Sequence, residues 1–348
     1  MIESIEVDGF RGLRRLKVEG FGRVNLIIGR NNSGKTALME ALAAVVSTDP
    51  ASTFAYIQTW RRPNVDVADF ERFWLPFFWN QKSEQELTLR LQMSNGEIRR
   101  IGARRVEGLR DVVTTSVLQS LAGHETWSIA LKIDNGREGR EDIIEATPNG
   151  VTFPNVAERR NPGWVWIRPS KEISKLDVQY FSKLKQSGRE TQLLDILTQV
   201  DSRVSGVELL APTGTEAELF VRLESGSPLL HVGMMGDGFQ RCFEFGVAVL
   251  AVEVPVLFID EFENGLHHGV HEPVWRRLAD ISHRRGLQIF ATTHSEECVQ
   301  AACRAFTDAN DDGLRVIRLD RREEETVATV YDRSLVEAAT RMGVEIRG

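Results

Sequence analysis

The sequence predicts an α/β fold in which buried strands bring a ligand site to one sheet edge, with an antiparallel β lobe inserted after the first helix. Three stretches carry this prediction. Val24–Ile28 is an unbroken apolar run; a glycine-bounded loop, Gly29-Arg30-Asn31-Asn32-Ser33-Gly34-Lys35-Thr36, and the helix-favouring residues 37–42 follow it. Val256–Ile259 is a second apolar run, ending in Asp260-Glu261. Gln288-Ile289-Phe290-Ala291 is a third and leads through Thr292 and Thr293 to His294. Strands covered on both faces need such continuous runs, and ligands of open α/β sheets gather at the carboxyl ends of the strands.

Taken in order, residues 4–7 and 13–18 alternate as a hairpin leading into the strand at Val24, with turns at Gly9, Gly12, Gly20 and Gly22. The helix after the loop runs over 37–47 and stops before Asp49-Pro50. Residues 54–79 show no clear period, and the aromatic run 70–79 reads as local core. Clean alternation over 86–101 turns at Asn95-Gly96. Similar strands at 127–133, turning at Asn135-Gly136, and at 151–153 make the middle section an antiparallel sheet. Trp164–Ile167 is a further strand, 172–200 is helical with a break near Gly188, and strands return at 206–210 and 219–223. A turn opening at Gly233 runs into an apolar helix over 243–252; residues 315–319 and 326–331 are strands, and a short helix starts at Ser334. The expected organisation is a single domain built from two lobes: 1–169 with the loop and the antiparallel strands, 170–204 as a helical insertion, and 205–348 with the remaining motifs.

Composition removes several classes. With 42% hydrophobic and 27% charged residues the chain is an ordinary globular protein, so disorder is not expected. A net charge of −7 argues against a generally basic nucleic-acid binder, although paired arginines such as Arg61-Arg62 and Arg104-Arg105 leave a local patch open. The start has no basic segment followed by an apolar one, and the longest apolar stretch is broken by Glu253 and Pro255, so a cytoplasmic protein is expected. Cys242, Cys298 and Cys303 lack metal-site spacing and read as free thiols.

The loop fits G-x-x-x-x-G-K-[ST] at Gly29, Gly34, Lys35 and Thr36. Glycines let the backbone wrap so that its N–H groups point inward, through Arg30, Asn31, Asn32 and Ser33, and the next helix presents its positive dipole end to the anion. Lys35 would reach the β- and γ-phosphates of a nucleotide, and the Thr36 hydroxyl would sit on Mg²⁺. Asp260 would hold the same ion, directly or through water, and Glu261 would be the general base for the attacking water. His267, His268 and His271 have a spacing that could bind zinc on a helix, but no glutamate or cysteine completes the set.

The order of phosphate loop, long insertion, glycine turn with helix, acid strand and histidine strand resembles the ATP-binding cassette superfamily; GTPases, RecA-like motors and kinases do not share it. The fold it implies is a P-loop NTPase of ABC-ATPase type with an antiparallel β lobe and a helical insertion. The loop, the Met235-to-Arg241 signature, the stretch from Asp260 to His268 and Thr293-His294-Ser295 look more narrowly like the ATPase half of the OLD (overcoming lysogenization defect) family. They also resemble its stand-alone prokaryotic AAA-type relatives, which are related to the RecF and SMC ATPases. The resemblance implies a head-to-tail homodimer, or a higher homo-oligomer, around two ATP. Gly236, Asp237 and Gly238 of one copy would face the γ-phosphate held by the other, and His294 would be a switch residue contacting that phosphate. Cassette ATPases usually have serine where Gly236 stands. Glu263 and Asn264 fall where such proteins place a loop that communicates between sites. A glutamine joining Mg²⁺ to the insertion is implied, with Gln58, Gln81 and Gln92 all open. OLD proteins carry a Toprim nuclease; here the residues after His294 read as two strands and a helix, so cleavage would belong to a separately encoded effector, a nuclease or toxin, in phage defence or DNA maintenance. The competing reading is a RecF-like repair or recombination ATPase that binds DNA itself; a transporter's nucleotide-binding subunit fits the motifs less well.

Overall fold

The structure, a computed structural model, describes residues 1–106, 126–136, 138–147, 150–154, 163–169, 173–212, 214, 216–224, 227–251 and 253–341. It has two compact units interleaved along the chain: unit 1 is Met1–Phe21, Gly29–Trp164 and Leu319–Val330, and unit 2 is Gly22–Ile28, Val165–Arg318 and Tyr331–Gly348.

In unit 1, β1 (Ile2–Phe10) and β2 (Leu13–Glu19) form the hairpin expected from alternation. The next strand, β3 (Val24–Ile28), belongs to unit 2. The hairpin is extended by β4 (Leu87–Met93), β5 (Ile98–Val106), β6 (Trp127–Asp134), β7 (Gly139–Thr147) and β8 (Gly150–Thr152) into an antiparallel sheet of order β2-β1-β4-β5-β6-β7-β8. The inserted strands therefore join the N-terminal hairpin instead of standing apart. Leu87, Leu89 and Leu91 are buried while Thr88, Arg90 and Gln92 are half-exposed, so one face carries the core. α1 (Lys35–Val46) packs on that sheet and is buried on almost every side. α2 (Pro50–Arg61) starts with Pro50 after Asp49, whose carboxylate accepts the Ser52 N–H at 3.1 Å. The aromatic run is core: Phe70, Phe73, Trp74, Phe77 and Phe78 are buried, with Trp74 5.7 Å from Trp127 and Phe77 5.1 Å from Phe54, ring centre to ring centre.

Because α1 is sunk in apolar surroundings, its one acid needs partners. Glu40 is 1% exposed and pairs with both Arg11, from the β1–β2 turn, and Arg61, from α2. The Arg11 guanidinium also lies over the Phe77 ring at 4.3 Å and donates to Gln58 Oε1 at 3.0 Å; burial brings its pKa down to about 10. Glu40→Gln leaves two guanidinium groups without their carboxylate, and a loss of about 3–5 kcal/mol is expected in denaturant unfolding.

The sheet of order β16-β15-β3-β14-β13-β9 gives unit 2 its strands β3, β9 (Trp164–Ile167) from Val165 on, β13 (Val256–Ile259), β14 (Gln288–Thr292) and β15 (Leu314–Arg322) as far as Arg318; the end of β15 and most of β16 (Glu325–Asp332) fall in unit 1. β13 pairs with β14, β14 with β3, and β3 with β15, all parallel, through Phe258↔Phe290, Ala291↔Leu26 and Val316↔Leu26. α3 (Lys175–Gln186) and α4 (Glu190–Leu197), the helical insertion, pack on α5 (Asp237–Ala251), and α6 (His268–Arg285) packs on α7 (Glu296–Asp308). The strands β10 (Val204–Leu210), β11 (Glu218–Leu223) and β12 (Leu230–His231) form a small separate sheet, and α8 (Arg333–Arg341) ends the described chain. This is the expected α/β fold, with antiparallel strands and a helical insertion.

α2 occupies Pro50–Arg61, where the sequence reading found no period, and the start of a second helix also departs from it. α5 starts at Asp237, not at Phe243, so the glycine turn is the first turn of the helix itself. Glycine is a weak helix former, which hid the start. Gly238 is used for contact: a Cβ there would lie 3.0 Å from the Gly265 carbonyl oxygen.

Candidate functional site

β13, β14 and β3 are consecutive parallel neighbours, so their carboxyl ends share one sheet edge in unit 2. β13 ends in Asp260-Glu261, β14 in Thr293-His294, and β3 in Ile28, to which Gly29 is joined directly. A further bond along this edge runs from the Thr293 N–H to the Ile27 carbonyl at 3.2 Å. The three sequence signals are thus three adjacent strand ends.

The loop itself lies in unit 1. Gly29 (φ 142°) and Gly34 (φ 99°) take conformations that side chains rarely adopt, and Cβ atoms there would meet the Leu319 carbonyl oxygen at 2.5 Å and Leu13 Cδ2 at 2.6 Å. Asn32 is also left-handed, at φ 63°. Arg30, Asn31 and Asn32 are exposed, Ser33 is buried and Thr36 half-buried. Lys35 is 7% exposed, and its ammonium donates to the carbonyls of Gly29 at 2.8 Å and Arg30 at 3.0 Å. The ammonium therefore sits inside the curve of the loop. The first turn of α1 holds no acidic side chain, which leaves its positive end available to an anion.

In unit 2, Thr292 organises the acids. Its hydroxyl donates to Asp260 Oδ1 at 2.6 Å and accepts the Glu261 N–H at 2.8 Å, while its carbonyl accepts the Phe262 N–H at 2.9 Å. Glu261 is left-handed at φ 48°. Glu263 Oε1 accepts the His294 N–H at 2.7 Å, so the histidine's backbone is tied to the turn after the acids. Gly236 and Asp237 are exposed and Gly238 half-buried at the start of α5; a Cβ on Gly236 would meet nothing within 4 Å. Asn264 and Gly265 follow the acids, and the Gly265 carbonyl touches the Gly238 position.

Thr292 and Arg241 carry no role in the sequence reading. Both stand inside quoted motifs, and the signal was a polar residue closing a buried strand and a cation in an apolar helix. Arg241, on α5, donates to the carbonyl of Arg168, to that of Asp260 at 2.7 Å and to that of Glu261 at 3.2 Å, and pairs with Glu244 at 3.2 Å. Burial pushes the Glu244 carboxyl up to about 7, with Arg241 pulling the other way. Between the ordinary value of 4.5 and about 7 the folded state keeps a proton that the unfolded chain has lost, so stability falls as pH rises through that window. Glu244→Gln cannot titrate and should flatten this decline in thermal melts recorded between about pH 5 and pH 8.

Of the three glutamines, Gln58 is buried with its Oε1 on Arg11, Gln81 is exposed at φ 56°, and Gln92 lies within β4. His267 caps α6 by accepting the Gly269 N–H and His271 is buried; among the described residues no group of three His, Cys, Asp or Glu forms a metal cluster. Cys242, Cys298 and Cys303 are buried thiols outside any disulfide among the described residues, and burial pushes those of Cys242 and Cys298 up to about 12. No helix among the described residues is long and apolar enough to cross a membrane.

Comparison with known proteins gives the same chemistry a family. Residues 1–201 match the family described as "AAA ATPase domain", and residues 120–299 match "AAA domain, putative AbiEii toxin, Type IV TA system". The chain is similar to an "ATP/GTP phosphatase" of Helicobacter pylori, 23% identical over 332 residues, covering 86% of this chain and 87% of that one. Similar solved structures include the SMC head domain from Thermotoga maritima (13% identity, TM-score 0.47, 95% of this chain and 98% of that chain). Another is an Smc head domain with an extended coiled coil bound to the C-terminal domain of ScpA, from Pyrococcus furiosus (11% identity, TM-score 0.48, 100% and 99%). With a family model matching more than half of its length, the chain belongs to the AAA ATPase domain family and is an ATPase.

Proposed function

We propose that the protein is an ATP-driven switch of the OLD-like branch: two copies close head-to-tail around two ATP, hydrolysis opens them, and the motion controls a separately encoded effector. In this reading Lys35 exchanges its loop carbonyls for β- and γ-phosphate oxygens, and the N–H groups from Arg30 to Thr36 cradle the anion. Glu261 accepts the proton of the attacking water, and His294 reads the γ-phosphate. The Thr36 hydroxyl and the Asp260 carboxylate are hard oxygen donors, the latter already oriented by Thr292, and they suit Mg²⁺, which binds few protein groups alongside phosphate. The ion would supply charge neutralisation on the β- and γ-oxygens.

The observation that carries the dimer is at the start of α5. Gly236 and Asp237 are exposed where a helix N-terminus offers N–H groups, and beside them Met234 is 76% exposed. A large apolar side chain left in water beside this exposed helix start fits a surface that a second copy covers. The family description of residues 120–299 names a putative toxin of a type IV toxin–antitoxin system, which supports a role in such a system over a purely metabolic one. Light scattering tests the switch: Glu261→Gln with saturating ATP and Mg²⁺ should run at twice the mass of the nucleotide-free protein, and a monomer under those conditions would sink the proposal.

A further inference from the structure

We propose that Arg241 is a positioning residue for Glu261: its guanidinium fixes the left-handed backbone from which the base projects, and so couples the Gly236–Gly238 helix start to hydrolysis. The inference rests on reading Glu261 as the general base. At φ 48° Glu261 occupies the left-handed region, which is unfavourable for a residue with a Cβ. Such a conformation persists only where its surroundings over-determine it.

Two peptide groups define the backbone of Glu261, and Arg241 holds both. Its Nη2 donates to the Asp260 carbonyl at 2.7 Å, in the peptide before Glu261, and to the Glu261 carbonyl at 3.2 Å, in the peptide after it. Thr292 takes the remaining N–H at 2.8 Å. With φ and ψ both restrained, the origin of the carboxylate is set. A buried arginine that served only as a counter-ion would be satisfied by Glu244; here Arg241, 3% exposed, spends most of its donors on main-chain carbonyls. The two amino groups of the guanidinium serve four acceptors, Nη1 the Arg168 carbonyl and Glu244 and Nη2 the two carbonyls around Glu261, one more than a lysine ammonium has donors for. Arg241 stands one helical turn from Asp237 and Gly238 on the same rigid element, so whatever docks on the α5 start displaces the fork. Phosphate captured there from a second copy would thus adjust the base of its own chain.

Arg241→Lys keeps the charge and loses the fork. The expected result is a fall in kcat of about 100-fold, the scale of a small misplacement of a reacting group, with KM for ATP little changed. The double variant Arg241→Lys/Glu261→Gln should be no slower than Glu261→Gln alone, since the fork acts only through the base; multiplicative losses would overturn the proposal. Amide exchange at Glu261 should quicken in Arg241→Lys, and unchanged exchange would equally overturn it. If the single lysine variant does not fold, Arg241→Gln/Glu244→Gln, which leaves no buried charge unpaired, enters the same cycle. Wild-type turnover by Glu261→Gln would instead defeat the general-base reading, and the exchange measurement then decides on Arg241 by itself.

Discussion

Glu261→Gln is expected to hydrolyse ATP about 1,000-fold more slowly than the wild type, within the range that a positioned general base contributes, while binding ATP as tightly. The substitution keeps the shape and the left-handed backbone, because the bonds that hold φ 48° go to main-chain atoms and not to the carboxylate. What it removes is the proton acceptor. Single-turnover hydrolysis with saturating ATP, beside equilibrium nucleotide binding, separates the two effects. A loss below tenfold would mean that another group takes the proton.

Lys35→Met is expected to act on binding instead. The ammonium now bonds the Gly29 and Arg30 carbonyls at 2.8 and 3.0 Å and is 7% exposed, so the loop is curled around a charge placed for phosphate. Methionine fills the aliphatic volume and removes the charge. ATP affinity should fall at least about 100-fold, roughly 3 kcal/mol, as for loss of one preorganised electrostatic contact. Calorimetric titration with ATP checks this. A variant that binds normally and fails only in turnover would move Lys35 from ground-state to transition-state contacts.

The strands of the site were legible because burial on both faces leaves an unbroken apolar signature, as in Val24–Ile28 and Val256–Ile259. The loop was legible because its glycines and lysine have no other reason to stand together. The start of α5 was not: Gly236 and Gly238 argue against helix, and the reason for tolerating them, the approach of the Gly265 carbonyl, is tertiary. The Arg241 and Thr292 bonds were hidden for the same reason. Spacing of 19 or 31 residues along the chain carries no sign that Arg241 meets the Asp260 carbonyl or that Thr292 meets the Glu261 N–H. Glu40 is a parallel case in unit 1, an acid in an apolar helix whose two arginines come from a turn and a later helix. Periodicity finds elements, and it misses the polar bonds made between them.

The central proposal, a site shared by two copies, is tested most directly by mixing two disabled chains. Lys35→Met lacks a working loop. Gly236→Asp places a negative charge where a Cβ has open space, so it should fold normally and repel the partner's γ-phosphate. Each alone should be silent. In a mixed dimer, one site combines the intact loop of the second variant with the intact α5 start of the first, and an equal mixture should regain roughly a quarter of wild-type turnover, half the dimers being mixed with one working site each. A mixture as silent as either variant alone would contradict the shared site.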